Sequence, residues 1–171
     1  GVDVIQIDEP CFNIYTDEVK DWGMEMLEKS FDGVSAKRAV HICYGYGTEV
    51  VLKWKNANTD WSHYDATLPL IADSSIDQIS IETAASGVDL SVLDCLDGKD
   101  VMVGVIDVGT EEVEPAQVVA NRIRHAMEHV SAEHLIACTD CGMVPRSRRS
   151  AEGKMNALAA GAALVNRELG A

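Results

Sequence analysis

The stretch AVHICYG, residues 39–45, decides how the rest of the chain is interpreted. Its apolar and β-branched residues predict a strand, and Tyr44 and Gly45 begin a loop at the end of that strand. Because residues i and i+2 of a strand share one face, we expect His41 and Cys43 to point the same way. An imidazole nitrogen and a thiolate sulfur on one face are half of a four-ligand zinc site. The alternative is a buried histidine and a buried cysteine on an ordinary core strand.

The length and composition indicate one globular domain. The chain has 171 residues, 47% of them hydrophobic, with charged residues interleaved among them. Its longest apolar run, residues 157–165, is much shorter than the roughly 20 residues that cross a bilayer. A formal net charge of -14 disfavours nucleic acids and anionic membranes as partners, because both require a basic surface.

The amino terminus and the cysteines indicate the cellular context. The first residues, GVDVI, lack the basic and apolar regions of a signal peptide, so we expect a cytoplasmic protein. They begin inside a predicted strand, which suggests a piece of a longer chain. The five cysteines are an odd number without a secretory context, so thiols, metal ligands or core residues are favoured over a disulfide framework.

Strand and helix patterns alternate along the chain. This serial order predicts parallel strands, and the nearly continuous apolar character of the strands predicts a sheet buried on both faces. An open doubly wound sheet and a (β/α)8 barrel both have this order, and both bind ligands at the carboxyl ends of their strands. Strands are predicted over 4–7, 39–43, 76–81, 101–108 and 134–137, and helices over 17–31, 49–54, 61–74, 89–96, 115–129 and 150–169, with Pro69 in a first turn.

Polar side chains collect where the predicted strands end. Parallel strands bring their carboxyl ends to one edge, so these side chains are expected to converge there. A nitrogen, an oxygen and two sulfurs among them form a set that zinc accepts in tetrahedral geometry. A redox pair in the C-x-x-C sequence 138–141 is the less favoured alternative, because it follows the last strand and an aspartate beside it opposes thiolate formation. The zinc set is His41, Cys43, Glu82 and Cys141; Asp8, Glu9, Asp107 and Asp140 lie at the same strand ends.

Four of these strand-end motifs carry a resemblance to a known family. The segments IQIDEP at 5–10, HIC at 41–43, IET at 81–83 and DCG at 140–142, followed by Arg146, resemble the C-terminal catalytic half-barrel of cobalamin-independent methionine synthase in order and approximate spacing. The resemblance covers nearly the whole chain. It implies a TIM-like (β/α)8 barrel of which residues 1–171 supply about the last five βα units, as the C-terminal part of a single barrel domain.

The resemblance also implies a function and its residues. The family's cofactor is zinc, and its ligands correspond here to His41, Cys43, Glu82 and Cys141. Asp8 is implied to hold the amino group of homocysteine, whose thiolate accepts a methyl group to give methionine. Glu82, as the weakest ligand, is expected to yield its place when the substrate sulfur enters.

The methyl donor stays open between 5-methyltetrahydrofolate and a methyl-corrinoid. Gly109 stands where the family has a histidine that protonates the leaving folate amine, so Asp107 is the candidate replacement acid. Alternatives are alkyl transfer to another thiol such as coenzyme M, and a zinc-binding fragment without turnover. Since five βα units cannot close a barrel, we expect upstream sequence or another chain to supply the missing strands.

Overall fold

The computed structural model describes residues 1–45, 53, 55, 57 and 60–170. Five parallel strands form one sheet in the order β1-β2-β3-β4-β5, so neighbours in the chain are neighbours in the sheet. An open doubly wound sheet reverses its strand order at a switch point, whereas a barrel does not. The consecutive order therefore identifies a segment of a barrel. The strands are β1 (Val4–Glu9), β2 (Lys37–Ile42), β3 (Gln78–Ile81), β4 (Asp100–Ile106) and β5 (Leu135–Thr139).

Helices connect the strands, as parallel pairing requires. The predicted helix at 17–31 consists of α1 (Thr16–Glu18), a π-helical turn (Val19–Gly23) and α2 (Met24–Lys29). A 3-10 helix (Leu90–Leu96) precedes β4, and Asp89 caps it by accepting from the Ser91 amide at 3.0 Å. The remaining helices are α3 (His63–Ala72), α4 (Ala116–Ala126) and α5 (Arg148–Leu169). The predicted helix at 49–54 lies outside the described residues, apart from Lys53.

Pro69 corrects one expectation about α3. The residue was expected in a first turn, but it is the seventh of the ten residues of the helix. Proline has no N–H to donate to the carbonyl four residues back, so the helix forms without that hydrogen bond. The compensation is burial, because Leu68 and Ile71 on either side of Pro69 are fully enclosed in the core. Tertiary packing therefore outweighs the local preference.

The last helix, α5, begins and ends at residues suited to those positions. Ser147 precedes it and accepts from the Ser150 amide at 3.2 Å, which satisfies one free N–H of the first turn. Gly170 ends it with φ of 80°, a left-handed conformation that glycine adopts without strain. Gly161 allows α5 to lie against α4, since a Cβ there would be 2.5 Å from Val119 Cγ1.

The two faces of the sheet differ in chemistry. The register across β2, β3 and β4 aligns apolar residues on one face, where they belong to the same core cluster as side chains of α3 and α4. The other face has Asp8, His41 and Ser80 aligned across β1, β2 and β3. The apolar rows are Val40, Ile79 and Val101, and Ile42, Ile81 and Val103.

Burial on both faces holds for the three central strands only. β1 is largely exposed and β5 half-buried, so the expectation of uniformly buried strands is wrong for these two. The physical reason is that each of them pairs with one neighbour, while β2, β3 and β4 pair with two. Among the residues described, no helix has the length and apolar character needed to cross a membrane.

Candidate metal centre

Two strand ends bring a histidine and two cysteines together. His41 is in β2, Cys43 follows that strand by one residue, and Cys141 lies two residues after β5. A ring nitrogen of His41 and the Sγ atoms of Cys43 and Cys141 all lie within 4.8 Å of one another. His41 and Cys43 are buried and Cys141 is half-buried. We call these three side chains the His-Cys-Cys group.

The geometry of this group fits a divalent metal. The two sulfur atoms are 4.0 Å apart. Two Zn–S bonds of about 2.3 Å at a tetrahedral angle would place them about 3.8 Å apart. His41 Nε2 is buried, and within the described part of the chain it has no hydrogen-bond partner. A buried polar atom normally has a partner, so a metal ligand role accounts for this one.

The orientation of His41 is set from the neighbouring strand. His41 and Ser80 are register partners in β2 and β3, and Ser80 Oγ lies 2.9 Å from His41 Nδ1. A proton on Nδ1, donated to Ser80 Oγ, leaves Nε2 with a free lone pair. Metal-binding histidines generally use their second nitrogen in this way. Sequence reasoning missed Ser80, although a serine between Ile79 and Ile81 of a buried strand was a usable signal.

The two thiols of the group are in hydrogen-bond contact, with their Sγ atoms 4.0 Å apart. The hydrogen bond with Cys43 is the main cause that lowers the pKa of Cys141, even though burial opposes this. The pKa of Cys43 is raised, first by the same hydrogen bond and then by burial. A metal bound here would displace the thiol protons, since thiolates are its ligands.

Glu82 lies beside the His-Cys-Cys group but outside it. Its carboxylate is fully buried after β3, where Oε1 accepts from the Tyr44 amide at 2.9 Å. Oε2 accepts from Lys55 Nζ at 2.6 Å in a buried ion pair. The structure thus brings three of the four predicted ligands together and directs the fourth to a lysine. No sequence motif pointed to Lys55.

Tyr64 holds the ends of the two central strands together. Its hydroxyl donates to the Ile42 carbonyl at 2.8 Å and accepts from the Glu82 amide at 3.1 Å. The ring is fully buried in the core. The hydroxyl bridges β2 and β3 just beyond their last register pair, Ile42 and Ile81, so it supports the segments that carry Cys43 and Glu82.

The two predicted aspartates lie at the ends of β1 and β4, which are separated in the sheet by β2 and β3. Asp8 is exposed at the end of β1 as the register partner of His41, and its Oδ1 accepts from Gln6 Nε2 at 2.9 Å. Asp107 follows β4, where its Oδ1 accepts from the Gly109 amide at 2.6 Å. Neither belongs to the His-Cys-Cys group.

Cys138 does not pair with Cys141 in the structure. Its Sγ lies 4.0 Å from Ser80 Oγ, while Cys141 contacts Cys43. Burial raises the pKa of Cys138 to about 12, so this thiol stays protonated. These contacts give the C-x-x-C sequence no support as a redox pair.

Fold and site together define a parallel β/α-barrel segment with a candidate imidazole–thiolate metal centre at the carboxyl ends of its strands. Residues 1–163 match the model of the family described as cobalamin-independent synthase, catalytic domain. The chain therefore belongs to that family, and the resemblance inferred from the four sequence motifs is confirmed.

Individual relatives agree with this assignment. A methionine synthase of Saccharolobus islandicus is 31% identical over 173 residues, which cover 99% of this chain and 46% of the relative. A 2-hydroxypropyl-CoM lyase of Xanthobacter autotrophicus is 32% identical over 193 residues, with 99% and 50% covered. The chain thus spans about half the length of the curated relatives it matches.

Solved structures confirm the barrel-type fold. A B12-independent methionine synthase from Shewanella sp. W3-18-1, in complex with selenomethionine, superposes with a TM-score of 0.94 at 46% identity, covering 99% of this chain and 50% of that one. A protein from Listeria monocytogenes related to vitamin-B12-independent methionine synthases shares the fold with a TM-score of 0.56 at 16% identity. It covers 94% of this chain and 46% of that one.

Proposed function

We propose that this chain supplies the zinc-binding part of a methyltransferase that converts homocysteine to methionine. The observation that carries the proposal is the convergence of a His41 nitrogen with the sulfurs of Cys43 and Cys141, in a chain of this family. These three residues would hold the zinc, with Glu82 as the fourth ligand. The methyl group would come from 5-methyltetrahydrofolate or a methyl-corrinoid.

Bound zinc would supply the Lewis acidity that keeps a substrate thiol deprotonated at neutral pH. The residues of the chain determine how such a thiolate behaves. Cys43 and Cys141 contribute negative charge at the site, which keeps an entering sulfur electron-rich and nucleophilic. The bond between Ser80 and His41 Nδ1 holds the imidazole in place, so the ligand set needs little rearrangement.

Asp8 is proposed to bind the amino group of homocysteine. Its carboxylate is exposed beside His41 at the same edge of the sheet, within reach of a substrate that enters there. A carboxylate attracts the substrate ammonium through a charge-assisted hydrogen bond. This contact would orient the substrate thiol toward the His-Cys-Cys group.

Glu82 is proposed to exchange between two partners. It would be a ligand before substrate enters and would return to Lys55 when the substrate sulfur takes its place. The buried ion pair with Lys55 supports this, because a displaced carboxylate would keep a charged partner instead of standing alone in the core.

Asp107 is proposed as the acid that assists a folate donor. A methyl amine leaves poorly unless it is protonated, and Gly109 stands where the family has a histidine. A methyl-corrinoid donor needs no such proton. The donor therefore decides whether Asp107 takes part in the reaction.

Transfer to another thiol is the second candidate function. The relative named 2-hydroxypropyl-CoM lyase supports coenzyme M as an alternative acceptor. A zinc-binding fragment without turnover is the third, since the chain spans about half of its relatives. The largely exposed strand β1 and the half-buried strand β5 support the proposal that further strands, from upstream sequence or another chain, complete the barrel. The cytoplasmic location stays a prediction.

The test compares Cys141→Ser with Cys95→Ser, a substitution at an exposed cysteine outside the His-Cys-Cys group. We expect one zinc per wild-type chain, the same in Cys95→Ser, and a large loss in Cys141→Ser. X-ray absorption should show a new sulfur ligand when homocysteine is added, and methionine formation with each donor identifies the reaction. Zinc-free wild-type protein would refute the metal site. Bound zinc that never gains the homocysteine sulfur would refute methyl transfer to it, and coenzyme M is the comparison thiol.

A further inference from the structure

Asp140, the residue before Cys141, accepts hydrogen bonds from the loop that follows β3. Its side chain is fully buried, and Oδ1 accepts from the amides of Thr83 and Ala84 at 2.9 and 3.0 Å. Oδ2 accepts from the Ala85 amide at 2.7 Å. Three consecutive N–H groups therefore converge on one carboxylate. The loop that supplies them, residues 83–85, begins immediately after Glu82.

This contact spans a whole strand, because β4 lies between β3 and β5. Gly104 of β4 makes the crossing possible. A Cβ at this position would lie 2.1 Å from Asp140 Oδ1 and 2.8 Å from Asp140 Cα, so no side chain fits there. Thr83 also anchors to β4, since its Oγ1 donates to the Gly104 carbonyl at 2.7 Å.

The main chain of Asp140 is held as well. Its amide donates to the Ile106 carbonyl at 3.0 Å, next to a register shift between Gly104 and Ile106. Asp140 is thus fixed through its backbone to β4 and through its carboxylate to the loop after β3. Because Cys141 follows Asp140 directly, the position of its backbone is constrained as well.

We propose that Asp140 is a positioning residue of the metal centre: its carboxylate holds Cys141 at a fixed distance from Cys43 and holds the segment that carries Glu82. This inference rests on the proposed zinc site for its consequence, which is tight metal binding. The positioning itself is a property of the metal-free chain. It can therefore be measured even if the metal proposal fails.

A carboxylate is required here, and an amide is a poor substitute. Three donors need acceptor atoms on both sides of the group, and asparagine offers one acceptor oxygen and one NH2 donor. In Asp140→Asn, the NH2 group would face at least one backbone N–H. Asp89→Asn is the control, because Asp89 also accepts from a backbone amide, that of Ser91, but it precedes the 3-10 helix and lies outside the His-Cys-Cys group.

The first measurement reports the distance between the sulfurs without any metal. Dibromobimane bridges two nearby thiols and becomes fluorescent when it does so. In a chain carrying Cys11→Ser, Cys95→Ser and Cys138→Ala, it can bridge Cys43 and Cys141 only. We expect Asp140→Asn to slow bridging about tenfold or more, because the sulfurs lose their fixed proximity. Asp89→Asn should leave the rate unchanged.

The second measurement is zinc affinity, by competition with a chromogenic chelator. We expect Asp140→Asn to weaken zinc binding about 10- to 100-fold, the usual effect of losing a residue that supports a ligand. Thermal melting separates this from a general loss of stability. An unchanged bridging rate in Asp140→Asn would overturn the proposal, whether or not the melting temperature falls.

Two further outcomes are distinguishable. If wild-type protein binds no zinc, the metal site fails, and the bridging rates alone decide the role of Asp140. If Asp140→Asn does not fold, Ala84→Pro replaces it, because proline removes one N–H donor from the same carboxylate and leaves Asp140 intact. Wild-type bridging in that variant would equally overturn the proposal.

Discussion

Replacing Ser80 by alanine tests how the imidazole of the metal centre is held. His41 and Ser80 are 6% and 4% exposed, and Ser80 Oγ lies 2.9 Å from His41 Nδ1. The substitution leaves a buried N–H without an acceptor, which costs about 1–3 kcal/mol. In the metal-free chain the proton can move instead to Nε2, where it would block the nitrogen that is free to bind a metal. Zinc binding would then return the proton to the unpaired Nδ1, so the affinity for zinc should fall.

The expected loss can be stated in two independent ways. Removing the partner of a metal-bound histidine lowers affinity about 10- to 100-fold. That range corresponds to about 1.4–2.7 kcal/mol, in agreement with the cost of the unsatisfied group. Ser80→Thr keeps the hydroxyl and should retain most of the affinity.

The assay is competition for zinc with a chromogenic chelator, on protein whose folded state is confirmed by its melting curve. Ser74→Ala is the matched control, since Ser74 Oγ also makes a partly buried hydrogen bond, to the Ile71 carbonyl. An affinity for Ser80→Ala within twofold of wild type would refute the reasoning. It would mean that the imidazole is held by its packing alone.

Three other substitutions test the packing around the barrel segment. Lys154 is fully buried in α5 with its Nζ 3.0 Å from Glu114 Oε2, so Lys154→Ala should lower the urea unfolding free energy by about 3–5 kcal/mol. Lys29→Ala, at an exposed ion pair, is the control and should lower it far less; equal losses would contradict this. Burial alone would raise the pKa of Glu114, but the hydrogen bonds from Lys154 and the Asp107 amide outweigh it and lower that pKa. The stability that the ionised Glu114 carboxylate contributes is therefore complete above its ordinary pKa of 4.5 and is lost as the pH falls through the lowered pKa. The difference in unfolding free energy between wild type and Glu114→Gln should narrow only on acidification. Unfolding at a series of pH values measures this difference. Gly161→Ala would place a Cβ 2.5 Å from Val119 Cγ1 and should cost about 1–3 kcal/mol despite the better helix propensity of alanine; unchanged stability would show that α4 and α5 can separate freely.

Local patterns were enough to predict most of the fold. The alternation of apolar runs with helical periodicity specified five strands and their connecting helices, because side-chain period is a property of the sequence itself. The strand order distinguishes the barrel from the open doubly wound sheet, and the amino-acid sequence does not reveal that order. Pro69 shows where local preferences fail, because the helix continues past this proline while Leu68 and Ile71 are packed in the core.

The site divides in the same way. His41 and Cys43 were predictable as a pair, because two positions apart in a strand means one face. Cys141 is 98 residues from Cys43 in sequence, and only the folded sheet brings their sulfur atoms to 4.0 Å. Sequence resemblance suggested this convergence without supplying a distance.

The sequence by itself determined which residue types lie at the strand ends, and so the kind of metal that could bind there. The tertiary structure alone decided their partners: Ser80 beside His41, Lys55 against Glu82, and Asp140 across Gly104. The physical reason is that a ligand's identity belongs to one residue, whereas its orientation depends on contacts set by the register and spacing of different strands. Those contacts form only when the chain is folded.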